Sequence, residues 1–117
     1  MTAFYQRSFG LTVVDEIPGD YCVLESEAWS LALVQISEML AAKIRLSVPP
    51  ARREGAPIKL AFEVSSIEQS RSTIVGLGGE VDRASTQWVF RGFVHCDGVD
   101  PEGNVVQLKE RVDRVLQ

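Results

Sequence analysis

The chain has 117 residues, of which 45% are hydrophobic and 24% charged, and its formal net charge is −4. This length and composition are typical of one soluble domain with one core. The sequence contains no basic patch suited to nucleic acid and no apolar run of the roughly 20 residues that span a bilayer. We therefore expect neither nucleic acid nor a membrane as a partner. Cys22 and Cys96 lie far apart without a CxxC pair, which favours free thiols and a cytoplasmic location.

The first half predicts a helix, three strands and a second short helix. Apolar residues from Thr2 to Phe9 recur near helical spacing, and Gly10 ends that helix. Strands are predicted over residues 11–17, 21–25 and 29–36, with a turn at Pro18-Gly19-Asp20. Ser37 is the predicted cap of a short helix that extends to about residue 42.

A proline-rich segment separates the two halves. Residues 46–57 contain Pro49, Pro50 and Pro57, which suit neither a helix nor a central strand. We interpret this segment as a linker between one module of about residues 1–45 and another of about residues 58–110. Arg52 and Arg53 within it are expected to be solvated and mobile.

The second half predicts a strand, a helix and three more strands. Residues 58–64 alternate as in a strand, and Ser65-x-x-Glu68 is a capping box that opens a helix ending at Gly78-Gly79. Further strands are predicted over residues 80–84, 88–94 or slightly beyond, and 104–109. A short terminal helix is predicted over about residues 109–116.

These elements form an internal repeat. The first half has the order α-β-β-β and the second half β-α-β-β-β, so the first half lacks only the opening strand. The segment Val34-Gln35-Ile36 parallels Val106-Gln107-Leu108 at the end of each half. Repeats of this kind indicate two similar modules within a single domain.

The last strand follows a turn with a defined chemistry, Asp100-Pro101-Glu102-Gly103-Asn104. This turn, together with the doubled order of elements, resembles the vicinal oxygen chelate superfamily over essentially the whole chain. That superfamily includes glyoxalase I, bleomycin-resistance proteins and extradiol dioxygenases. The resemblance implies an α+β fold in which two β-α-β-β-β modules form a cleft-bearing pair of incomplete barrels, with the first strand of module one absent from this chain.

The resemblance also implies where a metal would bind. Metal-dependent members take ligands from the first and last strands of each module. The first strand of module one is missing, and the other positions hold Gln35, Lys59 and Gln107. Glutamine is a weak neutral ligand and a lysine ammonium repels a cation. We therefore expect no metal, no other cofactor and no assigned catalytic residue.

Further candidates would line the cleft beside these residues. Trp29 and Leu33 share a strand face with Gln35, and they either contact a ligand or pack between the sheets. Arg91 could clamp a carboxylate or phosphate, or it could pair with a nearby acidic residue to hold a hairpin. His95 is either a ligand-binding group or general base, or a structural histidine.

The sequence is compatible with three functions. The first is a metal-free protein that binds an unknown small molecule in the cleft, as bleomycin-resistance proteins do. The second is a lyase, isomerase or dioxygenase with an atypical metal site, for which His95, Glu63 and Asp97 are the candidates. The third is an oligomeric scaffold without a ligand.

The missing strand leaves an open sheet edge, which invites pairing with another chain. Either the natural chain starts upstream with an extra strand, or a partner subunit or another segment covers the edge. We expect a homodimer, and whether it exchanges halves is open.

Overall fold

The computed structural model describes residues 1–56 and 58–115. Within these residues the chain is an α+β fold with two sheets and no closed barrel, which confirms the predicted class. The elements in chain order are α1 (Thr2–Phe9), β1 (Thr12–Ile17), β2 (Tyr21–Glu25), β3 (Ser30–Val34), α2 (Glu38–Ala41), β4 (Leu60–Glu63), α3 (Ile67–Gly76), β5 (Glu80–Val81), a 3-10 turn (Ala84–Thr86), β6 (Trp88–Phe90), β7 (Phe93–Val99), β8 (Val105–Arg111) and α4 (Val112–Val115). The end of the predicted terminal helix, at residue 116, lies outside the described residues.

The first sheet is an antiparallel meander of β1, β2 and β3. Its inner face carries Cys22 and Leu24 on β2 and, opposite them, Leu33 and Leu31 on β3. These side chains belong to or pack against the single core, whereas Ala32 between the two leucines is exposed. Among the described residues, β3 pairs with β2 alone, so its other edge is open.

The second sheet has the order β4-β8-β7-β5, with β6 also paired to β7. Strand β4 runs parallel to β8, and the other pairs are antiparallel. Alternation gives this sheet two faces. Its inner face is fully or nearly fully buried and includes Phe62, Cys96, Val106 and Leu108. The opposite face, here called the polar face, carries the candidate site.

Helix α3 begins one residue later than predicted. The hydroxyl of Ser66, not of Ser65, accepts a hydrogen bond from the backbone N–H of Gln69 at 3.2 Å. The predicted capping box was therefore misplaced, because Ser66-x-x-Gln69 fits the same pattern. The carboxylate of Glu110 on β8 accepts a second hydrogen bond, from the backbone N–H of Ile67 at 2.7 Å. The two bonds satisfy helix N–H groups and fix α3 to the sheet.

The strand predicted over residues 88–94 is in fact a hairpin of β6 and β7. Phe90 pairs with Phe93, so the loop consists of Arg91 and Gly92 alone. Both residues have positive φ, 53° and 82°, as a type I′ turn requires. The hairpin was missed because arginine rarely adopts this conformation, and because the segment is apolar on both sides of the turn.

The turn at residues 100–104 is confirmed, and Asp100 is its centre. The Asp100 side chain is fully buried and accepts hydrogen bonds from the backbone N–H groups of Glu102 and Asn104 and from the Asn104 amide, each at 2.9 Å. The hydroxyl of Tyr5 on α1 donates to the same carboxylate at 2.6 Å. Burial, reinforced by this carboxylate, raises the pKa of Tyr5 far above the usual value. The turn thereby joins α1 to the second sheet.

Both cysteines are free and buried. The pKa of the Cys96 thiol is raised above its ordinary value, and burial is the largest cause of this shift. Over the described part of the chain, no helix is both long enough and apolar enough to cross a membrane.

Candidate functional site

The polar face brings together three of the seven predicted binding residues: Lys59, His95 and Gln107. Strand register explains why. Gln107 on β8 lies opposite Asp97 on β7, and His95, two residues away on β7, points to the same side. Gln107 also lies beside Ala61 on β4, two residues after Lys59. The three side chains, far apart in sequence, therefore converge on one patch.

Asp97 is the centre of this patch, and sequence analysis did not predict that role. The ammonium of Lys59 lies 3.0 and 3.1 Å from the two carboxylate oxygens of Asp97. The amide nitrogen of Gln107 lies 3.4 Å from one of them, and a guanidinium nitrogen of Arg52 lies 3.5 Å from the other. Asp97 is the residue that links Lys59, Gln107 and Arg52. The strand was predicted only to residue 94 or slightly beyond, so no sequence signal placed the Asp97 side chain on this face.

Arg52 is held in place, contrary to the prediction of a solvated, mobile side chain. One of its guanidinium nitrogens lies 2.6 and 2.8 Å from the two oxygens of Asp82. This hydrogen bonding raises the pKa of Arg52, although partial burial opposes the shift. Its neighbour Arg53 donates to the carbonyl oxygen of Glu102 at 2.9 Å. The linker is thus fastened to the second sheet on this side.

His95 is a buried side chain whose two ring nitrogens are both engaged. Nδ1 lies 2.9 Å from Oε1 of Gln107, and Nε2 lies 3.1 Å from the carbonyl oxygen of Phe90. Asp97 sets the orientation of the Gln107 amide, because its NH₂ group points toward the carboxylate and its oxygen toward His95. The indole of Trp88 stacks on the imidazole, with ring centroids 5.4 Å apart. His95 therefore connects β8 to the β6–β7 hairpin.

The donor set on this face does not fit the metal that the resemblance implies. Lys59 brings a positive charge to the position of a ligand, and Gln107 already bonds Asp97 and His95. Among residues 1–56 and 58–115, no three side chains of His, Cys, Asp or Glu lie together as a metal-holding group. Cation binding here would require Lys59 to leave Asp97 and Gln107 to leave His95.

The other predicted residues lie elsewhere. Leu33 and Gln35 line a separate cavity of about 400 Å³ beside the β1–β2 turn. Arg91 occupies the β6–β7 loop and, within the described residues, makes no hydrogen bond or ion pair. The alternative in which Arg91 pairs with a nearby acidic residue is therefore not seen: Asp97 bonds Lys59 and Asp100 bonds Tyr5.

The predicted symmetry between Gln35 and Gln107 is also wrong. The final strand of each hairpin begins with the pair that closes the hairpin, at Ser30 in β3 and at Val105 in β8. Counted from these positions, the counterpart of Gln107 is Ala32, whereas Gln35 follows the end of β3. The alignment of Val34-Gln35-Ile36 with Val106-Gln107-Leu108, which was based on sequence similarity, was therefore three residues out of register. An odd shift along a strand exchanges its two faces.

Trp29 lines a cavity of about 490 Å³ where the two sheets meet. Its ring lies 5.3 Å from that of Phe62, and Phe9 stacks on Phe62 at 4.0 Å, so this side of the cavity is aromatic. Glu63 and Lys109 from the polar face line the opposite side. The cavity thus combines aromatic rings with charged groups, as small-molecule sites commonly do.

Lys109 is the cation in this cavity without a carboxylate partner among the described residues. The other positive groups of the polar face are paired: Lys59 with Asp97, and Arg111 with Glu63 at 3.4 Å. The ammonium of Lys109 instead lies 4.6 Å from the ring centroid of Phe93. A cation held over an aromatic ring keeps its donors available to an anion.

Comparison with known proteins agrees with this geometry. The sequence model of the glyoxalase-like domain matches residues 1–109. The chain belongs to the glyoxalase-like domain family. Its superfamily is that of the vicinal oxygen chelate proteins, as predicted. No curated protein matched this glyoxalase-like chain.

Solved structures share the fold of this glyoxalase-like protein at low sequence identity. A glyoxalase/bleomycin resistance protein/dioxygenase family enzyme from Burkholderia phytofirmans has 19% identity and a TM-score of 0.62, covering 96% of this chain and 88% of its own. A lactoylglutathione lyase from Agrobacterium tumefaciens has 23% identity and a TM-score of 0.57, covering 93% and 81%. An antibiotic-binding protein from a Streptomyces species has 18% identity and a TM-score of 0.55, covering 92% and 81%. These likenesses show the fold, which carries both catalysis and binding.

Proposed function

We propose that this glyoxalase-like protein binds a small molecule without a metal ion, in the cavity between Trp29 and Lys109. The observation that supports this most directly is the engagement of Lys59 and Gln107 with Asp97 on the polar face. These two residues stand where metal-dependent relatives are expected to carry ligands. Because both side chains bond Asp97, their contacts favour a fixed hydrogen-bonded network on the polar face over a metal centre.

The catalytic alternative has its candidate groups already occupied. Both ring nitrogens of His95 contact oxygen acceptors, and Asp97 is shared by three donors. Glu63 pairs with Arg111. A general base needs a free site within hydrogen-bond reach of its substrate, and none of the three offers one here. Binding is therefore the function that the contacts favour over lyase, isomerase or dioxygenase chemistry.

We expect an aromatic or amphiphilic ligand whose anionic group lies at Lys109 and not at Glu27 or Glu63, the two carboxylates that also line the cavity. Trp29 and Phe62 offer flat apolar surface for stacking, and Lys109 offers an ammonium without a carboxylate partner. An anionic group on the ligand would supply that partner. A hydrogen bond to a charged group contributes roughly 1.5–3 kcal/mol, which corresponds to about a tenfold or larger change in affinity.

Three probes with the same ring and different charges test this ligand class. Naphthoate, naphthamide and naphthylmethylammonium are titrated separately by calorimetry, with proton–nitrogen spectra that follow the two indole N–H signals. We expect naphthoate to bind most tightly and to shift the Trp29 signal more than the Trp88 signal. Absence of binding by all three would contradict the proposal and favour the scaffold alternative. Strongest binding of the ammonium compound would contradict the proposed negative charge of the ligand.

A matched pair of variants separates recognition from general charge effects. Lys109→Gln and Arg83→Gln each remove one positive charge, but Arg83 lies outside the cavity. Lys109→Gln should weaken naphthoate binding about tenfold and leave naphthamide binding unchanged, whereas Arg83→Gln should leave both unchanged. Equal effects of the two variants would show that no specific contact is made.

Metal independence has its own measurement. Protein purified without chelator is analysed for bound metal and then titrated with Ni²⁺, Zn²⁺, Mn²⁺ and Fe²⁺. We expect no stoichiometric binding and unchanged naphthoate affinity after chelation. Tight binding of one ion per chain would overturn the proposal and favour an enzyme with an atypical metal site.

A further inference from the structure

The β6–β7 hairpin ends in three consecutive apolar side chains that the core does not cover. Trp88, Val89 and Phe90 are 39%, 67% and 58% exposed. Together with the loop residues Arg91 and Gly92, which are also exposed, they form what is here called the hairpin tip. Val89 and Phe90 are neighbours on a strand, so their side chains point to opposite faces. The hairpin tip is therefore apolar on both sides, whereas exposed apolar residues that stand alone are ordinary.

Arg91 at the apex of the hairpin tip is strained and has no partner within the described residues. Its φ is 53°, and every other positive φ in that part of the chain belongs to a glycine. This conformation is unfavourable for a residue with a Cβ, and strain of this kind is concentrated at functional sites. The Arg91 guanidinium makes no hydrogen bond or ion pair with a described residue. Its N–H donors are thus available to an anion outside the chain.

Two charged residues beside the hairpin tip also lack a partner of opposite charge among the described residues. The ammonium of Lys109 lies 4.6 Å from the ring centroid of Phe93. Asp113 is exposed on α4, whose first N–H donates to the loop carbonyl of Gly92 at 3.0 Å. The other charged residues nearby are engaged in ion pairs or hydrogen bonds: Glu63, Glu110 and Arg111. Arg91 and Lys109 therefore attract an anion, and Asp113 partly opposes them.

We infer that the hairpin tip rests on an anionic lipid surface, with Val89 and Phe90 among the headgroups and upper acyl chains and Arg91 bound to lipid phosphate. A guanidinium binds phosphate through two parallel hydrogen bonds, and an indole such as that of Trp88 suits the membrane–water interface. Lipid surrounds an inserted hairpin and covers apolar side chains on both of its faces, whereas a flat protein surface covers only one. The inference does not depend on the ligand proposed above.

This partner differs from the expectation drawn from the sequence. That expectation depended on the lack of an apolar run that could span a bilayer, and contact with the surface of a membrane requires no such run. The segment was also interpreted as a single strand, which concealed the apex at Arg91. Only the hairpin places an unpaired cation between two exposed apolar side chains.

Vesicle binding by the full chain tests the inference. Sedimentation with vesicles should show tighter binding to phosphatidylcholine mixed with phosphatidylserine than to phosphatidylcholine alone. Proton–nitrogen spectra with a spin-labelled lipid in the vesicles should show stronger broadening of the indole N–H signal of Trp88 than of Trp29. Trp29 is the internal reference, because it lies where the two sheets meet.

Charge variants test the role of Arg91. Arg91→Gly removes the charge and relieves the strain, so it should weaken binding to the anionic vesicles about fivefold without destabilising the fold. Arg83→Gln is its control, because Arg83 is exposed but lies outside the hairpin tip. It should change binding less than Arg91→Gly. Asp113→Asn removes the opposing charge and should strengthen binding.

Apolar variants test insertion. The double variant Val89→Ser and Phe90→Ser should weaken binding to the anionic vesicles about tenfold or more. Val75→Ser is the control, because Val75 is 59% exposed but lies on α3, and it should leave binding unchanged. Circular dichroism checks that each variant is folded.

Three results would each overturn the inference. The first is absence of binding to the anionic vesicles, which would leave an acidic groove of a protein partner as the occupant of the hairpin tip. The second is equal binding to both kinds of vesicle. The third is an effect of the control variants as large as that of the tip variants.

Discussion

The buried hydrogen bond between Tyr5 and Asp100 gives the sharpest test of how this fold is held together. The variant Tyr5→Phe removes one hydroxyl and leaves the aromatic packing of Tyr5 unchanged. The Asp100 carboxylate then loses its 2.6 Å contact but keeps the two backbone N–H groups and the Asn104 amide. The loss is therefore that of one charged hydrogen bond, and the remaining bonds limit further damage.

A hydrogen bond to a buried charged group contributes roughly 1.5–3 kcal/mol, and we expect Tyr5→Phe to cost about 2 kcal/mol. With an unfolding entropy of about 2.1 cal/mol/K per residue, this lowers Tm by about 8 °C. Tyr21→Phe is the matched control, because Tyr21 donates to Asp15 at 2.9 Å on the exposed surface. Solvent screening should make the control indistinguishable from wild type.

The pH dependence of stability tests whether the buried Tyr5 hydroxyl is the cause of this difference. The folded chain keeps the Tyr5 phenol protonated at pH values where the unfolded chain releases the proton, near pH ~10. Wild-type stability therefore falls as pH rises above that value, whereas Tyr5→Phe lacks this dependence. The difference in stability between the two proteins should narrow above about pH 10.

Urea unfolding followed by circular dichroism measures all three proteins at neutral pH and at pH values above the phenol pKa. Equal stability of Tyr5→Phe and Tyr21→Phe at neutral pH would show that the Tyr5–Asp100 hydrogen bond does not stabilise the fold. A difference between wild type and Tyr5→Phe that widens in alkali would contradict the raised pKa of Tyr5.

Two further predictions concern buried groups. Cys22 and Cys96 should react with a thiol reagent only after denaturation. Both are buried in the folded protein, and burial raises the pKa of Cys96. Fast labelling of either thiol in the native protein would contradict this prediction. Gly103→Ala should cost about 3 kcal/mol, since φ is 86° and a Cβ would collide with the carbonyl of Ala51. Gly92→Ala, with φ of 82° and open space, should cost only about 1 kcal/mol, and denaturant unfolding should separate the two.

The interpretation of the site failed where it depended on register. Gln35 was matched to Gln107 by sequence similarity. The pairs that close the β2–β3 and β7–β8 hairpins instead place Ala32 at the symmetric position. One-dimensional similarity does not fix which face a strand residue occupies, because an odd shift changes the face. Lys59 was predicted within a strand over residues 58–64, whereas it directly precedes β4, which begins at Leu60.

The sequence by itself determined the local features of this protein: helix α1, strand β2, the turn at Asp100 and the α+β class of the glyoxalase-like family. Each depends on residues close together in the chain, where backbone preferences and short hydrogen bonds decide the outcome. Only the tertiary structure decided that Asp97 bonds Lys59 and that Asp100 bonds Tyr5. These partners lie 38 and 95 residues apart, and their contact depends on strand register and helix packing that no local pattern specifies.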